Sequence, residues 1–172
     1  MPPNRVLYLL RHAKSSWDDP GIEDHERPLA PRGRRAARVL ADHVHSAGIM
    51  PELVLCSSAR RTRETLEGVD PPGQWQIESE LYAASPGTVL ARLQSLPDDV
   101  RSAMVVGHNP TMQVLVLRLA AAAASEADLE EVQRKFPTGA LATLTFEGGW
   151  SELAPGRARL ASYVRPRQLE GR

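Results

Sequence analysis

Three short apolar runs, each stopped by a polar or cationic group, set the frame of the chain. Val6-Leu7-Tyr8-Leu9-Leu10 breaks at Arg11-His12, Leu53-Val54-Leu55-Cys56 at Ser57-Ser58, and Ala103-Met104-Val105-Val106 at Gly107-His108. Continuous apolar runs of this length read as strands buried on both faces, the kind found in parallel sheets. Between them the spacing turns helical. Residues 33–47 repeat apolar positions at Ala36, Leu40, Val44 and Ala47 and end before Gly48. Residues 60–67 read as a helix closed by Gly68, and residues 88–96 carry Val89, Leu90, Leu93 and Leu96 on one face. Asn109 is a good N-cap and Pro110 suits a first helical position, so a helix should follow, with Met112, Leu115, Val116 and Leu119 buried.

The remaining segments are less periodic. Residues 17–31 hold Pro20, Gly21, Pro28 and Pro31 and predict a loop. Residues 70–74 predict a turn, and 75–78 a short strand. Residues 121–128 look like a frayed helix end or a surface segment. Residues 141–146, turned by Gly148-Gly149 into 150–153, suggest a hairpin, and 159–164 a last strand. Strands alternating with helices predict an α/β domain: a three-layer α/β/α sandwich with a mostly parallel central sheet and an antiparallel edge. No repeat or linker interrupts it, so one domain over residues 1–172 is expected.

Composition narrows the function. The chain has 172 residues, 42% hydrophobic, with 21 Lys+Arg against 21 Asp+Glu. A net charge of zero argues against a general nucleic-acid or membrane-surface binder, which would need a basic excess. The tract at 115–124 is interrupted by Arg118 and too short to span a bilayer, and residues 1–5 lack the apolar run of a signal peptide. A cytoplasmic protein is expected. The lysines are Lys14 and Lys135, the other cations being arginines. Most of these arginines fit a coding bias, while a few could bind phosphate through their planar forks.

The chemistry gathers where the three strands end. In open α/β sheets, ligands bind beyond the carboxyl ends of the strands. One rim would then hold Arg11-His12, Ser57 with Arg60-Arg61, and His108-Asn109 at a helix start. Two imidazoles, at least two guanidiniums and backbone N–H groups make a site for a dianion. A neutral imidazole is nucleophilic near pH 7, because its reference pKa is about 6.5. His12 could thus attack phosphorus while the arginines hold the equatorial oxygens and His108, if protonated, adds a donor. Lys14, Ser15, Asp18 and Asn109 are candidates for the pocket rim. No spacing supports a zinc site, His43 and His45 do not share a helix face, and no cofactor is implied. The glycines form no phosphate-loop pattern. Cys56 ends a buried run, and the arginine slot of a cysteine-phosphatase loop holds Thr62, so the thiol is rejected as nucleophile.

These blocks resemble the histidine phosphatase superfamily, which includes the phosphoglycerate mutases. Leu7 through Ala13 matches its signature. The string from Ser57 to Thr65 resembles its second motif, with a Ser four places before the phosphate-binding Arg and a Thr four places after, a register that selects Arg61 over Arg60. Val105 through Pro110 resembles the third, which carries the second histidine. The short length and the strings Arg11 to Trp17 and Gly107 to Pro110 are similar to the SixA-type phosphohistidine phosphatases. The resemblance implies a phosphoglycerate mutase-like fold and catalytic roles for His12, Arg11, Arg61 and His108. It also implies a phosphohistidine on a phosphotransfer protein as substrate.

Two positions depart from the superfamily pattern. The mutases have a phosphate-touching Asn six places after the nucleophile, where this chain has Asp18; Arg27 could compensate its charge. The middle-segment glutamate that donates a proton in many members falls near Ala83, with Glu80 a weak substitute. An alcohol leaves poorly without an acid, whereas an imidazole can leave already protonated. A site lacking the acid would favour P–N over P–O bonds. The rival readings are a small-molecule phosphomonoesterase of the same superfamily and a module that binds a phosphorylated partner without turnover. The sequence sets no oligomeric state, and a monomer is compatible with it.

Overall fold

The structure, a computed structural model, describes residues 4–170. Seven strands form one sheet in the order β3-β2-β4-β1-β6-β7-β5. They are β1 (Asn4–Arg11), β2 (Leu53–Ser57), β3 (Gln74–Glu78), β4 (Ser102–Gly107), β5 (Ala120–Ala123), β6 (Leu141–Glu147) and β7 (Ala158–Val164). The helices are α1 (Pro31–Ser46), α2 (Arg60–Val69), α3 (Pro86–Gln94), α4 (Thr111–Leu119), α5 (Glu126–Arg134) and the single turn α6 (Pro166–Glu170).

Alternation along β1 explains the layers. Leu7 and Leu9 join Leu55, Val105, Leu93, Met112 and Leu115 in a core under α3, α4 and α5. Tyr8 and Leu10 join Val54, Met104, Leu40 and Leu66 in a second core under α1 and α2. The sheet is therefore covered on both faces, as its apolar runs require. The expected three-layer, mostly parallel α/β sandwich is the fold observed. The antiparallel element is not at an edge: β6 runs against both β1 and β7, inside the sheet. The chain reaches β7, not residues 150–153, to complete the pairing, because Trp150 is fully buried and its indole donates to the Val100 carbonyl at 2.7 Å. Residues 150–152 form a 3-10 turn instead.

Other boundaries moved for local reasons. Helix α2 runs through Gly68 and ends at Asp70, which takes the left-handed conformation (φ 48°). Gly68 serves packing: a Cβ there would lie 2.7 Å from the Ala37 Cβ on α1. Helix α3 starts earlier, at Pro86, because the Ser85 hydroxyl accepts from the Thr88 N–H at 3.1 Å. Pro110, not Asn109, caps α4, while Asn109 still accepts the Gln113 N–H at 3.1 Å. The alanines of β5 are a strand at the sheet edge, parallel to β7, and α5 follows with Ser125 as its cap.

Candidate active site

Strands β2, β4 and β1 are neighbours in the middle of the sheet, all parallel. Their carboxyl ends bring the three sequence blocks to one rim, around a cavity of about 380 Å³. Arg11, His12, Lys14, Ser15, Arg61, His108 and Asn109 line it, joined by Trp17, Asp24, Arg27, Tyr82, Ala83 and Thr138.

His12 is fixed from both sides. Its backbone N–H donates to the Gly107 carbonyl at 3.0 Å, which continues the β1–β4 pairing past the strand end. Its ring Nδ1 lies 2.7 Å from the Ala13 carbonyl. A carbonyl only accepts, so Nδ1 carries the hydrogen and Nε2 keeps its lone pair. The next backbone N–H, that of Ala13, donates to the Thr65 hydroxyl, which itself donates to the Arg61 carbonyl at 2.7 Å. Thr65 thus locks the turn after β1 to the first turns of α2. His108 is held by Ser57, with Nε2 2.8 Å from the hydroxyl, and its ring centroid lies 5.4 Å from that of His12.

The guanidiniums are held unequally. Arg11 donates to the Phe136 carbonyl, and Arg61 to the Asp24 carbonyl and carboxylate at 2.8 and 3.1 Å. The Nε atoms of both are buried without a partner among the described residues. Arg27 donates to the Ser15 hydroxyl and to Asp24, and stacks 3.5 Å from the centroid of the exposed Trp17 ring. Asp24 also accepts from the Tyr82 hydroxyl.

Crowded positive charge dominates the electrostatics. Burial, then neighbouring His108, Arg61 and Arg11, pushes the His12 imidazole down to about 3. Burial and Arg61 push His108 down to about 4. Burial and Arg61 also lower Arg11. Asp24 is held at about 2, first by the Tyr82 hydrogen bond and then by the arginines. Both imidazoles are therefore neutral at pH 7, and a bound dianion would relieve every one of these repulsions.

This predicts an acid-sensitive fold. Unfolded histidines take up protons near pH 6.5, while the folded rings resist until about 4 and about 3. Stability is thus retained above pH 6.5 and lost as pH falls toward 4, each histidine adding up to about 1.4 kcal/mol per pH unit. Asp24 contributes only lower, between its ordinary value and about 2. Thermal melts from pH 7 to 4.5 should fall less steeply for His108→Gln than for the natural chain. Equal slopes would refute a buried neutral His108.

The sequence candidates sort clearly. His12, Arg11, Arg61, His108, Ser15 and Asn109 come together. Asp18 does not: it is exposed and outside the cavity lining. Trp17 stacks on Arg27, and the site's carboxylate is Asp24, six residues after Asp18. Trp17 is 70% exposed, so it belongs to the pocket rim and not to the core. Glu80 is exposed and outside the lining, where Ala83 stands instead. Asp24 and Tyr82 were not singled out from sequence, and Arg27 was named only as a partner for Asp18, whereas it pairs with Asp24. A polar loop as long as 17–31 was the available signal, since long loops in compact domains are often functional. Among the described residues no group of three or more His, Cys, Asp or Glu could hold a metal ion, and no helix is long and apolar enough to cross a membrane.

Known proteins fit this geometry. The family profile described as histidine phosphatase superfamily (branch 1) matches residues 7–84. An uncharacterized protein of Mycobacterium tuberculosis is 40% identical over 161 residues, spanning 92% of this chain and all of that one. Phosphohistidine phosphatase SixA of Escherichia coli is 29% identical over 147 residues, 82% of this chain and 85% of its own. The SixA-type protein of Nakamurella multipartitia superposes with a TM-score of 0.86 at 32% identity, over 96% of this chain and 99% of that one. The protein histidine phosphatase SixA complexed with tungstate superposes with a TM-score of 0.76 at 26% identity, over 95% and 99%.

Proposed function

The chain belongs to the histidine phosphatase superfamily and is a phosphatase, and from that premise we propose that it hydrolyses phosphohistidine on a phosphotransfer protein, with His12 as the nucleophile. The observation that carries the reading is the state of His12: neutral, with Nδ1 committed to the Ala13 carbonyl and Nε2 left for attack.

The steps follow from the residues around it. The His12 Nε2 lone pair forms a bond to phosphorus as the substrate's P–N bond breaks. The leaving imidazole carries a proton on its far nitrogen and departs neutral, with no acid needed from the protein. Arg11 and Arg61 hold the equatorial oxygens, and Arg27, Ser15 and Asn109 complete the rim. A dianion there would raise His108 from about 4, so that the ring donates a hydrogen bond to the phosphoryl oxygens, not to the leaving group, once substrate is bound. Water then attacks the phosphoryl-His12: an O–P bond forms as the P–Nε2 bond breaks, the water's protons leave with the phosphate, and the neutral His12 imidazole is restored. Tungstate bound by the structural relative is a tetrahedral oxyanion of the kind this site suits.

The cavity has Ala83 where an acid would stand, and its one carboxylate is ionised by Tyr82, Arg61 and Arg27. A P–O leaving group would lack a proton donor. Catalysis by a placed acid gains about 10²–10⁴-fold, so P–N hydrolysis should exceed P–O hydrolysis by at least about 100-fold in kcat/KM. The assay compares a phosphohistidine peptide with a sugar phosphate, using the natural chain and Glu80→Gln. The variant should stay within about twofold on both substrates, as exposed substitutions outside a site do. Comparable turnover of the sugar phosphate would instead make the protein a small-molecule phosphomonoesterase. Selective loss of P–O activity in Glu80→Gln would show that a donor operates. On the phosphohistidine reading the protein works in the cytoplasm.

A further inference from the structure

A second, larger concavity adjoins the catalytic cavity, with a volume of about 650 Å³. Lys14 and Thr138 line both, so the two are neighbours. Its charge is one-sided. Lys14, Arg32, Lys135, Arg165 and Arg167 face a single carboxylate, Glu170. This is notable in a chain with 21 cations and 21 anions, and it gathers both of the lysines. Four separate segments supply these cations, Arg165 and Arg167 sharing the one around the start of α6. Gly33 makes the junction: a Cβ there would stand 2.1 Å from the Lys14 carbonyl oxygen, so only glycine lets α1 bring Arg32 this close to the turn after β1.

The groove cations differ in kind from those of the catalytic cavity. Arg11 and Arg61 are pinned by backbone carbonyls or a carboxylate. Lys14, Arg32, Lys135 and Arg167 are exposed, and their side chains have no hydrogen bond or ion pair among the described residues. Only Arg165 is held, by Glu131 at 3.0 Å. Long, unpinned, solvated cations spread over a groove are poorly organised to chelate one phosphate. They suit a broad acidic surface, which they would steer and orient at long range.

We propose that this groove docks an acidic segment of the phosphorylated protein, beside the phosphohistidine that enters the catalytic cavity. The proposal rests on the phosphohistidine reading above and adds the chemistry of the partner's surface to it. It is tested with two synthetic phosphohistidine peptides, one flanked by Asp and Glu and the other by Asn and Ser. The double variant Lys135→Glu with Arg167→Glu alters the groove but no residue of the catalytic cavity.

At low salt the natural protein should prefer the acidic peptide by roughly tenfold or more in kcat/KM, and added salt should erode the preference. The double variant should lose the preference and keep its turnover of the neutral peptide. Lys135→Gln with Arg167→Gln should fall between. Equal turnover of both peptides by the natural protein overturns the groove and leaves the phosphatase reading standing. So does an equal loss on both peptides in the double variant. If neither peptide is hydrolysed, the phosphohistidine reading fails. The groove is then judged by equilibrium binding of the unphosphorylated acidic peptide, which must bind the natural protein at least about tenfold tighter than the double variant. A loss confined to a small doubly phosphorylated compound overturns the proposal in favour of a second phosphate subsite.

Discussion

His12→Ala should reduce turnover of a phosphohistidine peptide to background, a loss on the order of 10⁴–10⁶-fold in kcat, the range seen when a covalent nucleophile is removed. Nothing nearby can substitute. His108 is committed to Ser57, its ring 5.4 Å away from that of His12. With labelled substrate the natural protein should accumulate a transient phosphoenzyme, and the variant none. The fold should survive, since the ring's removal costs one buried hydrogen bond, to Ala13, of about 1 kcal/mol, plus its packing. A variant that retained turnover within tenfold of the natural chain would end the covalent mechanism. The pH profile gives a second check. Because His12 is pushed down to about 3, protonation of the nucleophile should not cut kcat/KM between pH 7 and 5. An ordinary histidine would impose a limb near 6.5.

Arg61→Ala should cost about 10²–10³-fold in kcat/KM, the usual price of removing one pre-organised donor from a transition-state oxyanion. Arg61→Lys should recover only part of this, because an ammonium cannot reproduce the planar fork. The neighbouring Arg60 supplies the control. It is paired with Glu64 one turn along α2 and lies outside the cavity, so Arg60→Ala should stay within about twofold. A reversed order of the two effects would show that the register inferred from the Ser57 and Thr65 spacing is wrong. Loss of Arg61 also removes a positive neighbour from both imidazoles and a partner from Asp24. The acid limb of the profile should therefore move upward in Arg61→Ala, which simple unfolding would not produce.

The candidate site was legible because its parts sit at the ends of strands. An apolar run buried on both faces announces itself, and the residue at which it stops is placed by the sheet, not by local preference. Arg11, Ser57 and Gly107 are such stops, and parallel pairing does the rest. Asp24 and Tyr82 were not legible for the opposite reason. Their meaning lies in contacts across 37 residues to Arg61 and 58 residues between each other, which no local pattern records. The alanines of β5 show a different failure. Alanine is the best helix former, yet pairing with β7 at the sheet edge overrides that preference. Helix α5 was hidden behind them, since Val132 is its one buried residue and too little for a visible period.

Cys56 is the next-to-last residue of β2, before Ser57, wholly buried, with burial raising its thiol to about 12. It sits just behind the phosphate site without taking part in it. Oxidants and alkylating agents attack thiolates, and this one is neither ionised nor reachable. Phosphatases built on a cysteine are silenced when a cell's peroxide rises. On the proposed mechanism, a protein that entrusts the same bond-breaking to nitrogen, and seals its sole thiol in the sheet, would keep removing phosphate through an oxidative burst.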